Sequence, residues 1–79
     1  MLSEIKEHLK FISLELQEAQ SSIEHYADAN SPEDAPFLQQ AARLDRLHND
    51  YAEVVLGIST GVIQSADEAL AHIKTIEGR

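Results

Sequence analysis

Residues 2–26 read LSEIKEHLKFISLELQEAQSSIEHY. Leu2, Ile5, Leu9, Ile12, Leu16, Ala19, Ile23 and Tyr26 recur here at alternating steps of three and four. A side chain returns to the same side of an α-helix at that interval, so the stretch is an amphipathic helix with an apolar seam to bury. Four heptads with both seam positions apolar are the pattern of a coiled coil or a bundle helix. Ser3 is the candidate N-cap, and Glu4 and Glu7 sit where the helix dipole favours negative charge. The helix is expected over about 3–28, which is roughly 40 Å long at 1.5 Å per residue.

The next residues, Asp28-Ala29-Asn30-Ser31-Pro32-Glu33-Asp34-Ala35-Pro36, hold both prolines of the chain. Proline, Asn and Ser in a cluster mark a turn, expected over 29–35. Ser31 followed by Pro32, Glu33 and Asp34 has the order of an N-cap, a first-turn proline and first-turn acids. Pro36 would clash with the carbonyl four residues back, so the regular second helix starts nearer Ala35.

From there the pattern resumes through Phe37, Ala41, Leu44, Leu47, Tyr51, Val54 and Ile58, with Leu38, His48 and Val55 widening the stripe. Two long amphipathic helices joined by a short connection pack as antiparallel neighbours. The register then carries on through Val62, Ala66, Ala69, Ile73 and Ile76. Gly57-Ile58-Ser59-Thr60-Gly61 is a run of weak helix formers, and Ser65-Ala66-Asp67-Glu68 has the spacing of a capping box. A break near 57–61 is the favoured expectation, with a second helix over 35–57 and a third over 60–77. An unbroken second helix is the alternative. The fold class is therefore all-α, a hairpin of two long helices with a shorter third helix or an extension. The last four residues, Ile76-Glu77-Gly78-Arg79, match a protease site used to remove tags, so 78–79 are set apart from functional reasoning.

With 79 residues the chain is a single domain, and a core of this size is marginal alone. There is no cysteine, so no disulfide supports it. No run approaches the ~20 apolar residues of a membrane span, and the opening residues lack the pattern of a secretory signal. A cytoplasmic location is the expectation. Fourteen acids face six Lys and Arg, for a formal charge of −8. Nucleic acid would be repelled, although an acidic inhibitor that mimics nucleic acid is a rival reading.

Chemistry has little footing. There is no Gly-rich phosphate loop, no cysteine nucleophile and no strained serine elbow, so no catalytic residue and no cofactor are expected. Glu4 with His8, and Glu68 with His72, have the i, i+4 spacing of two metal ligands. A closed site needs four, and solvated histidines beside acids are the plainer reading. Arg43 and Arg46, near Asp45 and Asp50, read as charge pairing along one helix.

More informative are Phe11 and Leu14, which lie one turn apart and off the first seam. Either they bind another protein, or a third helix covers them, or they are simply tolerated at the surface. Phe11, Leu14, Phe37, Leu38 and Tyr51 are the candidate partner-binding residues. A self-associating bundle is a further expectation for so small a core.

Pro32-Glu33, then Phe37-Leu38-Gln39-Gln40, then Ala42-Arg43, resembles the corresponding stretch of the small YscE/PscE-type co-chaperones of type III secretion. The resemblance implies a helical hairpin that binds a larger chaperone of helical repeats. The two together hold the needle subunit in the cytoplasm and keep it from polymerising before export. Members of that family are shorter after the second helix, whereas this chain continues beyond Gly61.

Overall fold

A computed structural model describes residues 1–78; Arg79, the end of the protease-site match, lies outside the described residues. The described chain is all helical: α1 (Leu2–Tyr26), a single 3₁₀ turn (Pro32–Asp34), α2 (Ala35–Ser59) and α3 (Ala66–Glu77). α1 and α2 pack against each other as a hairpin, and α3 is the shorter third helix. The molecule measures 46 × 20 × 16 Å, so its cross-section holds two or three helices of about 10 Å diameter.

α1 begins one residue earlier than expected, and its N-cap lies two residues earlier than the cap pattern suggests. Met1 is the N-cap and makes no side-chain bond, so Ser3 is a helical residue and not the cap. The helix ends at Tyr26, two residues short of expectation, because Ala27 is extended (φ −81°, ψ 136°). Asp28 holds the turn into the second helix. Its carboxylate accepts from the Asn30 N–H at 2.9 Å, and its own N–H donates to Asp34 Oδ2 at 2.7 Å. Ser31 is the N-cap of the 3₁₀ turn but makes no side-chain bond there. Pro36 falls in the first turn of α2, where its missing N–H leaves no helical bond unmade.

The break after α2 comes later than the weak helix formers suggest. α2 runs through Gly57 to Ser59, and α3 starts at Ala66 instead of near 60. The two glycines have different tasks. Gly61 adopts φ +81°, a left-handed conformation that β-carbons resist, and turns the chain out of the helix. Gly57 is helical and gives its bare flank to the returning chain. A Cβ there would stand 2.8 Å from Cδ1 of Ile63. Ile63 also donates its N–H to the Gly57 carbonyl at 2.9 Å and is itself buried.

Ser65 then caps α3, accepting from the Glu68 N–H at 3.2 Å. The Glu68 carboxylate accepts from Gln64 at 3.4 Å, one residue before the cap, so the reciprocal half of the capping box is displaced.

Leu9, Tyr51, Val54, Ile63, Ala69 and Ile76 form the buried core. Leu2, Ile5, Leu16, Leu47, Val55, Ile58 and Ile73 pack around them. The core thus gathers where the first half of α1 and the second half of α2 meet α3. Ile76 belongs to it, so the start of the protease-site match is part of the fold. Toward the turn, Ala41 is the one buried apolar residue of α2. No described helix is long and apolar enough to cross a membrane.

Candidate partner-binding surface

The burial of α1 decides which of its faces is free. The residues withdrawn from solvent are Leu2, Ile5, Leu9, Ser13, Leu16, Gln20, Ile23 and Ala27, with Lys6 beside them. Compared with the apolar series, the seam passes through Ser13, Gln20 and Ala27 in place of Ile12, Ala19 and Tyr26. Ile12 is 39% exposed and Tyr26 is 84% exposed. This series advances close to the 3.6 residues per turn of an uncoiled helix. The apolar residues keep the shorter 3.5 step of a coiled coil.

Ser13 is buried because His48 of α2 meets it. His48 Nδ1 lies 2.7 Å from Ser13 Oγ and 2.9 Å from the Ser13 carbonyl oxygen. The tautomer sets the roles: a protonated Nδ1 donates to the carbonyl, and a bare Nδ1 accepts from the hydroxyl. A hydrophobicity pattern has no means of finding this pair.

On the side of α1 opposite that seam stand Phe11 and Leu14, 64% and 57% exposed. α3 does not cover them, which removes one of the three readings. Acids surround the pair. Glu7 and Glu15 lie four residues either side of Phe11, Glu18 lies four after Leu14, and Glu4 is a turn beyond Glu7. The one lysine alongside, Lys10, has its Nζ 3.5 Å from Glu7 Oε1 in an exposed pair of small energetic weight. Two shallow depressions flank the apolar centre. One is lined by Ser3, Glu4, Glu7, His8 and Phe11, the other by Leu14, Gln17, Glu18, Ser21 and Ser22.

The other candidates divide. Phe37 is 59% exposed and shares an apolar groove at the turn with Ile23, Tyr26 and Ala27. Leu38 is half-buried. Tyr51 does not belong to the surface: it is 9% exposed and sits in the core with Leu9 and Val54. Burial, and then the charge of Glu77, push its phenol above the ordinary 10.0. Tyr51 fails as a partner residue because its position on α2 lies where α3 docks.

Arg43 and Arg46 line a depression with Asp50, Tyr51 and Glu77, at the end of α3. Among the described residues, no three of His, Asp and Glu come together to hold a metal. Compared with protein-family models, curated proteins and solved structures, the chain matches none.

Proposed function

We propose that this chain is a helical protein-binding module that offers the outer face of α1 to a larger protein. The supporting observation is the exposed Phe11–Leu14 pair on a helix whose opposite face is already buried against α2. An apolar pair one turn apart in a polar helix face is the kind of anchor that protein interfaces use. The finer reading follows the resemblance at the turn. It is a cytoplasmic type III secretion co-chaperone whose partner is a helical-repeat chaperone and, through it, the needle subunit. No catalytic residue, cofactor or nucleic acid enters this reading.

Co-purification from the native host tests it, with the full chain and its Phe11→Ala/Leu14→Ala variant compared side by side. The full chain is expected to retain one stoichiometric protein, identified by mass spectrometry as a helical-repeat chaperone. The variant should keep its helicity and lose about thirtyfold in affinity, which corresponds to roughly 2 kcal/mol. Equal retention by both forms would overturn the use of this face. A partner indifferent to Phe11 and Leu14 but released by salt would instead mark an acidic nucleic-acid mimic.

A further inference from the structure

Resting on the binding-module reading, we infer that the outer face of α1 receives a cationic amphipathic helix. Its apolar stripe would lie on Phe11 and Leu14, and its Lys or Arg side chains would flank that stripe. Three observations select this occupant. The surface is long and narrow. The two depressions and the apolar pair between them run from Ser3 to Ser22, about 28 Å along the helix axis at 1.5 Å per residue. It presents side chains only, since the backbone groups of α1 are spent in the helix, and a strand would find no edge to pair with. A helix of about five turns matches both the length and the mode.

Its charge fixes the sign of the partner. Glu4, Glu7, Glu15 and Glu18 rim the apolar centre, against Lys10, which already faces Glu7, and the N-terminal ammonium, 3.8 Å from Glu4 Oε1. A second copy gains no net charge attraction. Two α1 helices laid antiparallel with Phe11 on Leu14 bring Glu7 against Glu18 twice and Glu15 against Lys10 twice, and two laid parallel bring each Glu against itself. A rim of four carboxylates selects Lys or Arg, and it raises the rate of encounter with them.

Two synthetic 18-residue helical peptides test the inference on the full chain by titration calorimetry, with amide shifts mapped by NMR. They share one leucine stripe and carry either Lys or Glu at every flanking position. The Lys peptide should bind at least about tenfold more tightly than the Glu peptide, shifting amides of residues 3–22, and should weaken as salt rises. Phe11→Ala/Leu14→Ala should weaken it about thirtyfold, and Glu7→Gln/Glu15→Gln/Glu18→Gln about tenfold, with helicity and melting temperature retained in both.

Equal affinity for the two peptides, or no effect of the Gln variant, would overturn the charge selection and leave the binding-module reading in place. Binding that ignores Phe11 and Leu14 would overturn it as well, as would a Lys peptide that fails to bind at millimolar concentration. A dimer of the chain alone, dissociated by Phe11→Ala, would put a second copy on this face instead. Failure of the binding-module reading has a different mark: no protein is retained from the host.

Discussion

His48 and Ser13 stand 35 positions apart in sequence, yet the imidazole Nδ1 lies 2.7 Å from the serine hydroxyl and 2.9 Å from the serine carbonyl. This is a side-chain hydrogen bond between α1 and α2 placed inside their apolar contact. Polar atoms in such a place are costly when unpaired and nearly neutral when replaced together. Ser13→Ala and His48→Leu should each cost about 1 kcal/mol in urea unfolding, and the double variant should cost clearly less than the two combined. Simple additivity would mean that the two groups do not act as a pair.

The two sides of α1 should respond differently to truncation. Leu9 is 3% exposed, so Leu9→Ala is expected to cost roughly 2–5 kcal/mol. Leu16 is only half-buried, and its truncation should fall at or below the lower end of that range. Phe11→Ala with Leu14→Ala should stay within about 1 kcal/mol of the parent, as exposed substitutions do. Thermal melts of the three variants would show it, and a collapse of the Phe11/Leu14 variant would put these residues in the core after all.

Glycine replacements distinguish a steric need from a conformational one. Ala at 57 gains about 1 kcal/mol of helix propensity but drives its Cβ to 2.8 Å from Ile63 Cδ1. The expected net result is destabilisation by about 1 kcal/mol, because buried Ile63 has little room to yield. Gly57→Ala combined with Ile63→Val, which removes that methyl, should recover part of the loss. Gly61→Ala meets no atom within 4 Å and should still cost about 1–2 kcal/mol, from φ +81° alone. Denaturant midpoints of these variants and the parent suffice for the comparison.

Tyr51 couples the core to alkaline pH. Its phenol titrates above 10.0 in the folded chain, for reasons of burial first and Glu77 second. Below pH 10 both states hold the proton and stability is fully present. Above it the unfolded chain loses its proton first, so stability falls until the folded phenol ionises too. Tyr51→Phe should flatten that decline. Unfolding followed between about pH 9 and 11.5 tests this, and an unchanged slope in the variant would assign the decline to other groups.

The sequence carried the architecture plainly and the individual faces less well. Two 25-residue helices and the turn between them follow from apolar spacing and the proline cluster, and both are present. That Phe11 and Leu14 lie off the seam was also legible, since a position opposite a periodic seam stays opposite if the register slips by one residue; whether a third helix covers them was not. Ile12 and Tyr26 were misplaced because hydrophobicity is only a proxy for burial. Where Ser13 satisfies its hydroxyl against His48, a polar residue takes the seam and its apolar neighbour turns outward. Tyr51 stands in the apolar series of α2, so its burial follows from the same periodicity and argues against a partner role. Only the docking of α3 beside it is long-range packing that no local pattern encodes.

The gathering of buried side chains where α3 joins the hairpin leaves the two ends of the molecule unequal. Near α3 each helix has two neighbours, while toward Ala27 and Asp34 it has one, and Ala41 is the only buried apolar residue of α2 there. Backbone amides on the far side of Ser13 and His48 from α3 are thus shielded by a single helix-to-helix contact. They can trade hydrogen with solvent through a partial opening that leaves Leu9, Val54 and Ile76 shut in, whereas amides beside those three must await loss of the whole fold. Hydrogen exchange should thus find a firm base carrying a looser tip, with the Ser13–His48 bond at the joint between them.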